Sequence, residues 1–213
     1  MKIICKTPNN NLNEIYYASV EHLDDDSANY DLPQIRKERA EKLKFSKDKK
    51  LSVGAYLLLR CALSSHNIDI SKYEFCYSDK GKPYLKNCPF HFSLSHSGQY
   101  VLVGISNNPI GVDIQEIKQV KENITSLVFN VIDQRIYDLS DNKLDTFYKI
   151  WTFKEAIVKK SGEGLVAIKN KKIDYSNNYS DSFLYSFDII PGYKIGVATT
   201  TENINLLREV TLK

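Results

Sequence analysis

The sequence predicts an α+β fold, because segments with helical periodicity and segments with strand periodicity follow one another in blocks. Residues 34–64 carry strong helix formers with apolar side chains at helical spacing, whereas residues 73–117 alternate with period two. After residue 120, the same order of helical segments followed by strand segments is repeated less regularly. With 213 residues, of which 42% are hydrophobic, the chain can bury a substantial core.

Two helices are predicted in the first half. Asp31 is a candidate N-cap for a helix over residues 34–45, since Pro33 suits the first helical turn. A second helix is predicted over residues 48–64, where one apolar face is formed by Leu51, Ala55, Leu58, Leu59 and Ala62.

Strands flank these helices, and short turn signals separate them. They are predicted up to residue 20 and over residues 74–78, 83–85, 90–95 and 100–106. The polar run from Ser106 to Pro109 indicates a joint that divides the chain into halves 1–106 and 107–213.

The second half begins with a strand of strict alternation over residues 110–117. Helices are predicted near 121–139 and 143–161, and the latter should end at Gly162. Further strands are predicted near residues 165–174, 183–190 and 193–200, with an exposed hairpin or loop over 170–182.

Composition argues against several classes of function. A net charge of +3 is too small to indicate a nucleic-acid-binding protein unless the charge is gathered on one surface, and a weakly acidic partner stays open. No run of about 18 apolar residues predicts a membrane span, and the first residues lack the apolar stretch of a signal peptide, so a cytoplasmic protein is expected. The cysteines show no metal or redox spacing and are Cys5, Cys61, Cys76 and Cys88.

Asp113 is the first candidate for chemistry. Apolar residues at positions 110, 112 and 114 fall on one face of the strand, so Asp113 falls on the other face beside Gly111. A carboxylate there could be one ligand of a hard cation such as magnesium. An aspartate near a strand end is more often a solvated or turn residue, so this pattern alone leaves both interpretations open.

The helix over 143–161 supplies a second candidate pair. Glu155 and Lys159 follow Trp151 at one and two helical turns, beside an apolar stripe. Periodicity alone favours an exposed ion pair worth roughly 0.2–0.5 kcal/mol. A tryptophan at the buried edge and a basic last turn would instead suit a site where a metal-bound phosphate meets the helix end.

Four segments together resemble the Sfp-type 4'-phosphopantetheinyl transferases, also called holo-acyl-carrier-protein synthases. They are GKPYL at 81–85, SLSHSG at 93–98, GVDI at 111–114 and WTFKEAIVKKSGEGL at 151–165. The GVD motif with W-x-x-K-E-A-x-x-K at this distance is more specific than either part alone. The resemblance implies two pseudo-symmetric α/β halves, with coenzyme A and the active site in the cleft between them.

The resemblance also implies a role for each site residue. Asp113 and Glu155 would bind magnesium together with the diphosphate of coenzyme A, and Lys159 would contact the phosphates. Arg36 and Arg39 would lie near the 3'-phosphate. The remaining nucleotide contacts would be Lys82, Pro83, Ser95 and His96.

Some of these residues also have a structural interpretation. Arg36 and Arg39 share a helix with interleaved glutamates, which is typical of a salt-bridged surface. Strict alternation would turn His96 into the core, unless the strand bends at Ser95. Lys82 would by default be a solvated turn residue.

One position departs from the family pattern. The family often has a glutamate two residues after the strand aspartate, and this chain has Gln115. Glu116 cannot replace it, because a shift of one residue points the side chain to the other face. Gln115 could offer its amide oxygen to the metal, but it brings no negative charge.

The implied reaction is magnesium-dependent transfer of 4'-phosphopantetheine from coenzyme A to a serine of an apo carrier protein, of acyl, peptidyl or polyketide type. It releases 3',5'-ADP, and a monomer would carry it out. The catalytic residues would be Asp113, Glu155 and Lys159, with Glu155 as a candidate base. Two alternatives stay open: a non-catalytic module that binds coenzyme A or the carrier, and a metal-dependent phosphodiesterase.

Overall fold

The structure, a computed structural model, describes residues 12–120, 124–164, 168, 173, 178–179 and 182–212. Five α-helices and ten β-strands lie within these residues, in two four-stranded sheets and one hairpin. The α+β class predicted from the sequence is confirmed. In the described residues, no helix is long and apolar enough to cross a membrane.

Two helices form in the first half, α1 (Gln34–Glu41) and α2 (Ser46–Ser64). The long helix α2 confirms its prediction. The prediction of Asp31 as the cap of α1 was wrong, because Pro33 is the N-cap and provides no side-chain hydrogen bond. The helix α1 also ends before the predicted residue 45, because the backbone becomes extended at Phe45 to begin α2.

The first sheet has the order β10-β1-β5-β4. Its strands are β1 (Asn13–Ser19), β4 (His91–Ser97), β5 (Tyr100–Ser106) and β10 (Leu206–Glu209). The strand β10 was not predicted; it comes from the C-terminal end and pairs in parallel with β1. A separate hairpin consists of β2 (Phe75–Tyr77) and β3 (Pro83–Leu85).

The second sheet is antiparallel, with the order β6-β9-β8-β7. Its strands are β6 (Ile110–Glu116), β7 (Asn178–Tyr179), β8 (Ser182–Phe187) and β9 (Tyr193–Thr199). The strand predicted near 165–174 lies almost wholly outside the described residues. Residues 107–109 link β5 to β6, and β10 returns to the first sheet, so the division of the chain into halves at residue 106 stays a prediction.

Three helices belong to the second half: α3 (Ile124–Val128), α4 (Val131–Leu139) and α5 (Lys143–Ser161). The prediction of a single helix near 121–139 was wrong, because two separate helices, α3 and α4, form there. Asn130 separates them, because its side chain caps α4 in a capping box with Asp133. The predicted end of α5 is confirmed, since Gly162 closes it in the left-handed conformation at φ 76°.

The core has three parts that arrange these elements in layers. One cluster lies between α2 and the first sheet, and another lies beneath α3, α4 and α5. The third joins the two sheets and includes Ile15, Leu102, Ile110, Val112, Ile114, Ile195 and Val197. The apolar face predicted for the strand after the joint, Ile110, Val112 and Ile114, is therefore confirmed as the face between the sheets.

Two glycines allow α5 to lie directly on the second sheet. A Cβ added to Gly111 of β6 would lie 1.8 Å from the carbonyl oxygen of Ala156, and one added to Gly196 of β9 would lie 2.6 Å from the backbone of Thr152. Backbone atoms cannot move aside cheaply, so any side chain here would push the helix away. This close contact brings the last two turns of α5 beside Asp113.

Candidate active site

A cleft of about 490 Å³ opens between the two halves. Every predicted site residue except Arg36 lines it. The first half contributes Arg39, Lys82, Pro83, Ser95 and His96, and the second half contributes Asp113, Gln115, Glu155 and Lys159. Residues from two helices (α1 and α5), one turn and three strands (β3, β4 and β6) thus meet in one place.

Asp113 lies at the centre of a hydrogen-bond network. Its carboxylate is 1% exposed. The Ser95 hydroxyl donates to Oδ1 at 2.7 Å, and the Lys159 ammonium donates to the same oxygen at 2.6 Å. The Gln115 amide donates from Nε2 to Oδ2 at 2.9 Å. Asp113 is therefore a buried acceptor of three hydrogen bonds, not a solvated strand-end residue.

Glu155 is a buried carboxylate beside Asp113 and is only 7% exposed. Burial raises its pKa to about 7, and the nearby charge of Asp113 adds to this, while Lys159 opposes it. The exposed ion pair that periodicity favoured is not found among the described residues, because Lys159 binds Asp113 instead. Glu155 can thus gain and lose a proton near neutral pH.

The oxygen atoms in the cleft fit a hard divalent cation. Asp113 and Glu155 offer carboxylates and Gln115 offers an amide oxygen, which are ligands that magnesium prefers. The ammonium of Lys159 already neutralises Asp113, which shows that this position favours positive charge. No group of three or more histidine, cysteine or acidic residues gathers in the described residues, so a ligand or water would complete the shell.

The first half forms a basic wall of the cleft. Lys82 donates from Nζ to the carbonyl oxygen of Lys160 at 2.8 Å, so it closes the cleft against the end of α5. Burial lowers the pKa of Lys82 to about 8, and the charge of Lys160 adds to this. Lys82 is therefore not a solvated turn residue. Pro83 begins β3 directly after it.

His96 and Arg39 lie further along the same wall. His96 is on the face of β4 that also carries Phe92 and Leu94, but there this face leaves the core and opens to the cleft. Loss of solvent around the ring lowers the pKa of His96, and the charge of Lys159 acts in the same direction. The guanidinium of Arg39 lies 4.9 Å from the ring centre of Tyr77 and is exposed.

Arg36 is placed differently from Arg39. It is 5% exposed, and its guanidinium donates to Tyr77 Oη at 3.0 Å and to the carbonyl oxygen of Ser52 at 2.6 Å. It lines an adjoining cavity of about 410 Å³ instead of the main cleft. Its contact with a nucleotide stays a prediction.

Sequence reasoning missed the serines that join the two halves. Ser93 and Ser97 accept hydrogen bonds from the backbone N–H groups of Val112 and Glu116. The period-two repeat of serine in SLSHS was the signal, because residues two apart share a face of a strand.

Comparisons with known proteins agree with this geometry. A family model described as "4'-phosphopantetheinyl transferase, N-terminal" matches residues 26–108, and one described as "4'-phosphopantetheinyl transferase superfamily" matches residues 109–188. The curated protein "4'-phosphopantetheinyl transferase AcpT" of Escherichia coli (strain K12) is 30% identical over 147 residues, which cover 66% of this chain and 72% of that protein. The chain belongs to the 4'-phosphopantetheinyl transferase superfamily.

Other members of the superfamily match over similar lengths. "4'-phosphopantetheinyl transferase Sfp" of Bacillus subtilis (strain 168) is 26% identical over 179 residues, covering 76% of this chain and 79% of Sfp. "4'-phosphopantetheinyl transferase gsp" of Aneurinibacillus migulanus is 27% identical over 170 residues, covering 74% and 69%. The resemblance to Sfp-type transferases is confirmed, and so is the enzyme class.

Proposed function

We propose that this chain transfers the 4'-phosphopantetheine group of coenzyme A to a serine of an apo acyl, peptidyl or polyketide carrier protein and releases 3',5'-ADP. One observation carries the proposal: Asp113, Glu155 and Lys159 converge in one cleft of a phosphopantetheinyl transferase. Both walls of this cleft come from a single chain, which supports action as a monomer.

The oxygen donors in the cleft support a requirement for magnesium. Asp113 and Glu155 would hold the ion, with Gln115 as a neutral third donor. When bound, magnesium would supply positive charge against the negative charge that develops on the phosphate oxygens.

Lys159 is the cationic group of the chain that faces the transferred phosphate. Two of its three N–H groups bind Ser95 and Asp113. A third can donate to a phosphate oxygen without breaking either contact. This geometry holds positive charge in place before the substrate binds, which is how electrostatic catalysis reduces the barrier.

Glu155 is the candidate base for the carrier serine. A serine hydroxyl must lose its proton as its oxygen attacks the β-phosphorus of coenzyme A, and a base works best when its pKa is near the working pH. The pKa of Glu155, raised to about 7 mainly by burial, meets this condition.

The basic wall of the first half would bind the nucleotide part of coenzyme A. Lys82 has a lowered pKa, and a neighbouring phosphate would favour its charged form. The exposed guanidinium of Arg39 and the ring of His96 reach the same cleft, so both can contact an anionic group. Arg36 would support this wall from behind through its bonds to Tyr77 and Ser52.

Intact-mass spectrometry of apo carrier proteins tests the proposal. A panel of acyl, peptidyl and polyketide carriers is incubated with the enzyme, coenzyme A and magnesium, and at least one should gain the mass of phosphopantetheine. The Asp113→Asn and Glu155→Gln variants should each lose most of this transfer. Near-wild-type transfer by either variant at saturating magnesium would refute the assignment of the site.

The same experiment separates the alternatives. A non-catalytic module would bind coenzyme A in calorimetry but modify no carrier. This alternative is worth testing because Gln115 stands where the family often has a glutamate. A phosphodiesterase would release nucleotide from coenzyme A without any carrier present. Either result would replace the proposed function.

A further inference from the structure

The two sheets meet at strand edges that are joined by side chains. Among the described residues, β4 pairs only with β5 and β6 pairs only with β9, so each of these two strands has one edge without a partner strand. Serine hydroxyls on β4 accept hydrogen bonds from backbone N–H groups of β6: Ser93 from Val112 at 3.1 Å, Ser95 from Ile114 at 3.2 Å and Ser97 from Glu116 at 2.9 Å. We call these three residues the serine ladder.

The middle serine of the ladder has two further contacts. The Ser95 hydroxyl donates to Asp113 Oδ1 at 2.7 Å and accepts from Lys159 Nζ at 2.9 Å. A hydroxyl has one proton and two acceptor positions, so all three are used within the protein. Ser95 is 5% exposed. Its hydroxyl therefore has no hydrogen-bonding capacity left for a nucleotide.

We propose that Ser95 is a positioning residue that holds Asp113 and Lys159 in their catalytic arrangement. This rests on the proposed function, and it differs from the nucleotide contact that the sequence predicts. Ser95 belongs to the first half, while Asp113 and Lys159 belong to β6 and α5 of the second. One neutral hydroxyl thus fixes a carboxylate and an ammonium relative to the opposite wall of the cleft.

The orientation of Lys159 follows from this contact. With Ser95 and Asp113 each holding one N–H group, the ammonium cannot rotate freely, and its third N–H group has a defined direction. Without the hydroxyl, Lys159 would keep only the carboxylate and could swing about it. Loss of Ser95 should consequently weaken the reaction step more than the binding of coenzyme A.

The serine ladder provides matched controls. Ser93→Ala and Ser97→Ala each remove one hydroxyl that accepts from β6, but neither hydroxyl contacts Asp113 or Lys159. Ser95→Ala removes the same kind of backbone contact and both site contacts. A structural role alone would affect the three variants alike.

Steady-state kinetics of carrier modification gives the first test. We expect Ser95→Ala to lower kcat about 10–100-fold, as for other residues that orient active-site groups. KM for coenzyme A should change less than about threefold, and both control variants should stay within about threefold of the wild type in kcat. Ser95→Cys is close to serine in size but bonds weakly, so it should behave as Ser95→Ala does.

Two results would overturn the proposal. If Ser93→Ala and Ser97→Ala lose as much kcat as Ser95→Ala, the ladder is only a joint between the halves. If Ser95→Ala raises KM and leaves kcat unchanged, the serine is a nucleotide contact. If Ser95→Ala does not fold, the kcat and KM of Ser95→Cys are compared with those of the control variants instead.

A double-mutant cycle on unfolding tests the contact independently of any activity. Ser95→Ala and Lys159→Met are combined, and the double variant should lose less stability than the sum of the single losses. Additive losses would overturn the proposal. Failure of the proposed function would instead show as a wild-type protein that modifies no carrier, while this coupling is still measured.

Discussion

Two buried carboxylates, Asp113 and Glu155, lie in the cleft beside Lys159, and their surroundings give the two carboxylates different properties. Asp113 is held by the hydroxyl of Ser95, the ammonium of Lys159 and the amide of Gln115. Glu155 makes no ion pair in the described residues and lies beside the charge of Asp113. Burial of Glu155 therefore lowers the stability of the folded protein at neutral and higher pH, where this carboxyl would otherwise be fully ionised.

The stability of the metal-free protein should show this cost. The pKa of Glu155 is raised from 4.5 to about 7, so between these values the folded protein binds more protons than the unfolded chain. The contribution of Glu155 to the free energy of unfolding therefore falls as the pH rises from 4.5 to about 7. Above about pH 7 it decreases no further. Glu155→Gln should therefore be more stable than the wild type at pH 8, by about 1–3 kcal/mol, with little difference below about pH 5.

Thermal unfolding at pH 5 and pH 8 in the presence of a chelator measures this. Each kcal/mol added to the free energy of unfolding should raise Tm by about 2–4 °C in a chain of this size. Glu38→Gln, an exposed change on α1, serves as the control. The same difference in Tm at both pH values would contradict the prediction.

Gln115 leads to a prediction about magnesium. Its amide nitrogen now faces Asp113, so the amide must turn before its oxygen can face a cation. Because it adds no charge, Gln115→Ala should reduce transfer far less than Asp113→Asn. Gln115→Glu should lower the magnesium concentration that gives half-maximal rate, since a carboxylate is the stronger ligand.

Initial rates against magnesium concentration for the wild type and these variants provide the measurement. A loss in Gln115→Ala as deep as that in Asp113→Asn would show that the amide is essential to the site. An unchanged magnesium requirement in Gln115→Glu would place residue 115 outside the metal shell.

At the scale of elements, the site depends on how closely α5 approaches β6 and β9. Gly196 lies opposite Asp113 in the pairing of β9 with β6, and Gly111 lies two residues before Asp113. Both glycines lie against the backbone of α5. The distance from Asp113 to the helix residues Glu155 and Lys159 is thus set by the absence of two side chains.

Gly196→Ala should move α5 outward and impair both stability and transfer. Overpacking against fixed atoms typically costs about 1–3 kcal/mol. Gly54→Ala is the matched control, because its Cβ would meet the side-chain tip of Val20 at 2.4 Å rather than backbone, and alanine also favours the helix α2.

Denaturant unfolding and transfer assays of both variants make the comparison. Gly196→Ala should lose at least tenfold in transfer rate, because the charged groups would separate, whereas Gly54→Ala should keep most of its activity. Equal effects of the two substitutions on transfer would show that the approach of α5 does not set the site.

At the scale of the whole molecule, the C-terminal segment closes the first sheet. Asn205 donates from its backbone to the carbonyl oxygen of Asn13 at 2.8 Å, and Val210 donates to that of Tyr17 at 2.9 Å. The side chain of Asn13 also donates to the carbonyl oxygen of Asn203 at 2.8 Å and is completely buried. Residues 203–210 are therefore bound to β1, on the side of this strand that faces away from β5.

Deletion of residues 204–213 should destabilise the first half. It removes β10 and the apolar contacts of Leu206, Val210 and Leu212 with the main cluster. Loss of this burial should cost a few kcal/mol, or roughly 5–10 °C in Tm. Glu209→Gln, exposed on the same strand, should leave Tm within about 1 °C of the wild type.

Thermal unfolding and amide hydrogen exchange across β1 give the measurement. Faster exchange in β1 is expected after the deletion, because this strand would become an edge. A truncated protein with wild-type Tm and protection would show that β10 adds nothing to the sheet.

The sequence by itself determined the local elements and the group of residues at the site. The helix α2, the end of α5 at Gly162 and the alternation of β6 could be predicted because periodicity and capping depend on neighbours along the chain. Short segments shared with the transferase family contain most of the predicted site residues, and all of the predicted residues except Arg36 line the cleft, while their roles stay predictions.

Only the tertiary structure decided which groups became partners. Arg36 and Arg39 lie one turn apart on α1, yet one is buried against Ser52 and the other is exposed at the cleft. Lys159 pairs with Asp113 rather than with Glu155, and β10 pairs with β1 from the other end of the chain. These choices depend on the packing of distant segments, and periodicity along the chain carries no information about the contacts that such packing makes most favourable.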